Sequence, residues 1–93
     1  MVYYFYILQS NRDGKFYYGH TDNLKQRLKK HQEGLTRSTK SRRPLELVYY
    51  ESFTTRKEAL SREHQFKNGR TRKETRDKLI RTFPPSKLVS FNP

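Results

Sequence analysis

From Val2 to Gln9 almost every position is aromatic or branched. Side chains alternate along an extended chain, so Tyr4, Tyr6 and Leu8 fall on one side and Tyr3, Phe5 and Ile7 on the other. Two apolar sides predict a central strand covered on both faces. Asp13-Gly14 predicts a tight reversal, and Phe16 to His20 returns as a second strand, where Gly19 allows close backbone approach or a sharp exit. Thr21 or Asp22 can cap a helix running to about Glu33, in which Leu24, Leu28 and Leu35 keep roughly helical spacing and Gly34 marks the stop. Thr36 to Arg43 is a polar, basic loop closed by Pro44, and Leu45 to Glu51 alternates as a third strand. Thr55-Arg56-Lys57-Glu58 has the form of a capping box and opens a helix to about Lys67, ended by Asn68-Gly69. Thr71-Arg72-Lys73-Glu74 has the same form and opens a third helix to about Thr82, stopped by Pro84-Pro85. The order strand, strand, helix, strand, helix, helix predicts a layered α+β domain over residues 1–83, with residues 84–93 as a flexible C-terminal tail.

Composition changes this picture in two ways. A hydrophobic fraction of 31% is thin for a chain of 93 residues, so the seven Tyr and six Phe must carry much of the core. Each aromatic buries roughly 150–250 Å². Charge is the second point: 21 Lys and Arg against nine Asp and Glu give a formal net charge of +12. That imbalance points to a polyanionic partner, nucleic acid first. A solvated basic surface is the plain alternative. No basic amphipathic anchor stands apart from the fold, so no membrane partner is expected. The chain has no Cys, which excludes disulfides and thiolate metal sites. Without an apolar run long enough to span a bilayer or form a signal core, a soluble cytoplasmic protein is expected.

Three groups of residues carry candidate chemistry. Glu63 shares one helical face with Ala59, Leu60 and Phe66. A carboxylate on an apolar stripe is costly unless it is paired or metal-bound. A hard divalent cation suits a single carboxylate that keeps waters and phosphate oxygens around the ion. An ion pair with one of the many basic residues is the alternative. Arg27 and His31 lie four apart and point the same way from the first helix. The guanidinium is a planar fork for phosphate, and the imidazole exchanges a proton near neutral pH. Two solvated side chains on a basic helix would look the same. Tyr6 and Tyr17 lie on paired strands and can place two phenols on one face; an aromatic core with hydroxyls at its rim is the competing reading. His20, Thr39 and Lys40 sit on or beside loops near these groups, where they could hold phosphates. His64 follows Glu63 directly and points elsewhere.

These residues resemble the GIY-YIG nuclease family. The first signature corresponds to Tyr4-Phe5-Tyr6 and the second to Tyr17-Tyr18-Gly19, with ten residues between Tyr6 and Tyr17. The run from Tyr18 to Leu28 looks like the family's strand exit and Arg-bearing helix, and Arg27 with His31 matches its Arg-x-x-x-His arrangement. Thr39-Lys40 with Pro44 to Tyr49, then Glu58 to Glu63 with Phe66-Lys67, look like the loop, third strand and glutamate helix of the small stand-alone branch. The resemblance implies a central three-stranded antiparallel sheet flanked by three helices, similar to the N-terminal incision domain of the ABC excinuclease. It implies that Glu63 binds one Mg²⁺ or Mn²⁺, that Arg27 stabilises phosphoryl charge, and that Tyr6, Tyr17 and His31 align or deprotonate water. His20, Thr39, Lys40 and Lys67 are then the nucleic-acid contacts. Departures stand at Tyr4 and Phe5, in place of the Gly and Ile of the first signature, at Tyr18, in place of the second Ile, and at His20, where some relatives have Lys.

The expectation is a divalent-metal-dependent DNA endonuclease acting in repair or processing, on structured or non-specific DNA, because 93 residues leave no room for a separate DNA-reading module. The alternative is a non-catalytic nucleic-acid-binding module on the same scaffold. RNA is the less favoured partner, and a basic accessory protein on structured RNA would give no reason for Glu63 to face a core. Oligomeric state is open.

Overall fold

The structure is a computed structural model, and it describes residues 1–92. Three strands, β1 (Tyr3–Ser10), β2 (Phe16–Thr21) and β3 (Leu45–Phe53), form one antiparallel sheet in the order β2-β1-β3. Helix α1 (Leu24–Gln32) covers one face; α2 (Arg56–Lys67) and α3 (Lys73–Thr82) cover the other. This is the α+β arrangement expected from the alternation of the strands.

β1 is central because both of its faces are apolar. Phe5, Tyr6, Ile7 and Leu8 are all fully buried. Tyr6 and Leu8 pack with Leu24 and Leu28 of α1 and with Leu45 and Leu47 of β3. Phe5 and Ile7 pack on the other side with Tyr49 and Phe66, and Leu79, Ile80 and Phe83 close over them. A bulge between Ile7 and Leu8 shifts the β1–β3 register by one residue, pairing Ile7 with Tyr49 and Leu8 with Leu47.

Local signals set most element ends. Thr55 caps α2 by accepting the Glu58 amide at 3.2 Å, and its hydroxyl also meets the Glu58 carboxylate at 2.9 Å. Gly34 and Gly69 take φ of 75° and 70° just past α1 and α2, where a side chain would be strained. Three ends differ from expectation. The cap of α1 is Asn23, whose side chain accepts the Gln26 amide at 3.1 Å; Thr21 instead accepts the Asn23 amide in the turn before it. Leu35 lies past Gly34, off the helix, and is 69% exposed. The Thr71–Glu74 capping box does not form: Arg72 occupies the cap without a side-chain bond. The Thr71 amide is spent on the Gln65 carbonyl at 3.2 Å, so Thr71 closes the turn after α2 instead of opening α3.

The tail also differs. Instead of running free, it makes a short 3-10 turn at Pro85–Lys87, and Leu88 and Phe91 pack against the α1-side core. Asn92 pairs with the outer edge of β3, accepting from Leu47 N and donating to Leu47 O, both at 2.9 Å. The apolar spacing of Leu88 and Phe91 gives the segment something to bury, which a loose tail lacks. Pro93, the last residue of the expected tail, lies outside the described residues. No described helix is long and apolar enough to cross a membrane.

Candidate active site

The candidate residues gather at β2, the free edge of the sheet on that side. α1 brings Arg27 and His31 over one face, and α2 brings Glu63 to the other. On β2, Tyr17 stands opposite Leu8 and Gly19 opposite Tyr6, so the two tyrosines are diagonal neighbours with ring centroids 6.4 Å apart. The Tyr6 ring crosses directly over Gly19: a Cβ built there would lie 2.5 Å from Tyr6 Cζ. Glycine is therefore required by the phenol above it.

Four side chains form one directed hydrogen-bond chain. Arg27 Nε donates to Tyr6 Oη at 3.3 Å, and Tyr6 Oη meets His31 Nε2 at 3.1 Å. His31 Nδ1 meets Thr39 Oγ1 at 2.7 Å, and Thr39 Oγ1 donates to the Thr36 carbonyl at 3.4 Å. Polarity can be assigned from the ends inward. The guanidinium can only donate, and the carbonyl can only accept. Hence Thr39 accepts from His31 Nδ1–H, and His31 Nε2 is left to accept the Tyr6 proton. Burial, with the charge of Arg27 second, pushes the His31 pKa down to about 4, so the imidazole is neutral at pH 7. Burial pushes the Tyr6 pKa up to about 12 despite the Arg27 bond, so the phenol keeps its proton at rest. The same bond raises the Arg27 pKa.

Glu63 is 7% exposed although its side chain ends in a carboxyl group. Its Oε1 meets His20 Nδ1 at 2.9 Å, and its Oε2 meets Lys67 Nζ at 3.0 Å. The ion-pair alternative for this residue is thus present in the structure. Arg62, one position earlier, orients the helix by gripping Glu51 of β3 through two nitrogens at 2.8 and 3.1 Å. Successive helical residues point about 100° apart, so anchoring Arg62 toward β3 turns Glu63 toward β2. Lys67 links the two halves of the site: its Nζ lies 5.9 Å from the centre of the Tyr17 ring, whose centroid is 5.1 Å from that of His31.

The residues lie at two depths. Tyr6, His31 and Thr39 are fully buried. Tyr17, His20 and Arg27 are half-buried, and Lys40 and Lys67 are exposed. Thr39, expected as a phosphate contact, has no surface to offer one; it fixes the His31 tautomer instead. His20, placed with the phosphate contacts, has its Nδ1 committed to Glu63. Lys40 is solvent-exposed at the start of the Lys40–Arg42 3-10 turn, and His64 is exposed away from the site. Thr39 as a histidine anchor was missed because a threonine in a polar loop has no distinguishing spacing.

The sequence profile of the GIY-YIG catalytic domain matches residues 2–77. The chain belongs to the GIY-YIG family. Among GIY-YIG relatives, the UPF0213 protein of Bacillus pumilus is 42% identical over 72 residues, covering 76% of this chain and 72% of its own. The UPF0213 protein of Pediococcus pentosaceus is 45% identical over 71 residues, covering 75% and 73%. The solution NMR structure of a UPF0213 protein from Bacillus halodurans superposes with a TM-score of 0.57 at 29% identity, covering 97% of this chain and 95% of that one. The three-stranded sheet with its three helices is thus the GIY-YIG fold, and the family is one of nucleases.

Proposed function

We propose that the protein is a divalent-metal-dependent DNA endonuclease of the cytoplasm, hydrolysing phosphodiester bonds in DNA processing or repair. The observation that carries this reading is the directed chain from Arg27 through Tyr6 and His31 to Thr39, set beside a nearly buried carboxylate. The net charge of +12 supports DNA binding chiefly through phosphates, with strong salt dependence.

Glu63 fits a hard cation such as Mg²⁺ or Mn²⁺. It offers two carboxylate oxygens, one reached through the exposed side of Lys67. No cluster of three His, Cys, Asp or Glu surrounds it among the described residues, so water and phosphate oxygens would complete the shell, as they do for Mg²⁺. Bound there, the ion would stabilise phosphoryl charge as a Lewis acid.

The protein's own groups supply the rest. The Arg27–Tyr6 bond is long at 3.3 Å and the guanidinium is half-buried, so an incoming phosphate oxygen can draw Arg27 off the phenol. That movement uncovers Tyr6 Oη, which has no solvent exposure while Arg27 lies on it. A water bonded to Tyr6 gives its proton to the phenol oxygen as the phenol passes its own proton to His31 Nε2. The water oxygen bonds to phosphorus, one ester P–O bond breaks, and the departing oxygen takes up a proton. With its low pKa, His31 holds the relayed proton transiently and releases it readily. Tyr17 flanks the water, and Arg27 balances charge on the phosphoryl oxygens.

A supercoiled-plasmid nicking assay tests this, with Mg²⁺, Mn²⁺ or EDTA, on the wild type and Glu63→Gln. The expected result is metal-dependent nicking by the wild type and none by the variant, with matching circular dichroism. Full cleavage by Glu63→Gln in metal refutes the assignment. Salt-sensitive binding without product in either metal points to the non-catalytic module.

A further inference from the structure

The two oxygens of Glu63 are held by partners of different kinds. His20, on Oε1, belongs to β2, and its side chain is 24% exposed. Lys67, on Oε2, ends α2, and its side chain is 46% exposed. The lysine stem has four rotatable bonds and carries a compact, strongly hydrated charge. A carboxylate with so little solvent contact is costly without a partner, and Lys67 supplies one from the solvent side. Its ammonium also lies 5.9 Å over the Tyr17 ring, whose face attracts a cation. Arg27 borders the same phenol.

The geometry points to Lys67 as a displaceable internal counter-ion. Its ammonium occupies Oε2 of Glu63 until a divalent cation takes that oxygen, and then turns to a phosphate oxygen beside Tyr17. This role rests on the metal-binding reading of Glu63. It makes Lys67 a positioning residue with two opposed effects: it competes with the ion and it favours the polyanion.

Lys67→Met keeps the stem and removes the charge, and Lys67→Gln serves as a second variant should Met disturb the helix end. Mn²⁺ affinity is measured by electron paramagnetic resonance of free Mn²⁺ over folded protein at low salt. Both variants are expected to bind Mn²⁺ about twofold more tightly, the range of an i,i+4 helical ion pair. For a DNA duplex, the slope of log K against log salt is expected to flatten by about 1, the loss of one phosphate contact. Unchanged or weaker Mn²⁺ binding overturns the counter-ion role, and an unchanged salt slope overturns the phosphate role. Glu63→Gln separates the levels. If it abolishes Mn²⁺ binding while the Lys67 variants match the wild type, the inference about Lys67 alone fails. If it binds Mn²⁺ like the wild type, the metal reading of Glu63 fails first.

Discussion

Acid should loosen this fold through His31 before it protonates most carboxylates. The folded state holds the ring neutral, with a pKa of about 4, whereas an unfolded chain binds the proton near the ordinary value of 6.5. The unfolded state therefore takes up more protons between these values, and stability falls as pH falls. The contribution is fully present above pH 6.5. Linkage gives a loss of about 2 kcal/mol by pH 5 and about 3 kcal/mol by pH 4. Groups facing the ring are Tyr6 from β1, Tyr17 from β2, Arg27 from α1 and the Thr39 hydroxyl from the following loop. Arg27 is the charged one, and its sign reinforces the shift. His31→Gln removes the titration and leaves every other ionisable group in place. Urea unfolding of both proteins at pH 7.5, 6 and 5 gives the difference in stability at each pH. The advantage of the wild type is expected to shrink by about 2 kcal/mol from the first pH to the last. Nitrogen-15 spectra of the ring should show a proton on Nδ1 and no midpoint near 6.5. A constant stability difference, or an ordinary ring titration, would refute the buried-relay description.

Two further outcomes follow from close contacts. Gly19→Ala drives a Cβ to 2.5 Å from Tyr6 Cζ and should cost about 1–3 kcal/mol, read by thermal unfolding, with cleavage reduced as Tyr6 leaves His31; an unchanged melting temperature would show that the ring moves freely. Asn92→Ala removes both bonds to Leu47 and should cost about 1–2 kcal/mol, with faster hydrogen exchange at the Leu47 amide; unaltered protection there would mean that the tail does not close the β3 edge.

The sheet was legible in the sequence because β1 shows apolar residues on both sides, a pattern that a half-exposed strand would not carry. Glu63 stood out for a related reason: a charge on an apolar stripe needs an explanation. Features depending on where a backbone group is already spent were not legible. Thr71 has the composition of a cap, but its amide closes the turn after α2. Thr39 looks like any loop threonine until His31 Nδ1 is placed against it. The tail hid for want of a periodic pattern, although Leu88 and Phe91 supply the apolar area that holds it. The depth of Tyr6 was also out of reach, since spacing tells which face a residue takes and not what lies over it.

The two edges of the sheet are treated differently, and the difference bears on function. An unpaired strand edge invites association, and proteins cover or charge such edges. On the β3 side, Asn92 pairs with the Leu47 backbone and Phe91 lies against Tyr50. On the β2 side, the edge is bordered by side chains that offer charge: Arg27 over one face, and Glu63 with His20 and Lys67 at the other. Helices on opposite faces cannot reach one another through a packed sheet, but their side chains can meet around a free edge. A three-stranded sheet with its middle strand buried is thus enough to bring a guanidinium, two phenols and a carboxylate close to β2. In the proposed mechanism, a polyanion laid along that edge would meet Arg27 and Lys67 before it met the buried relay, which would open as Arg27 changed partner. The fully buried Tyr6 is therefore compatible with catalysis so long as the weak, 3.3 Å contact above it yields to phosphate.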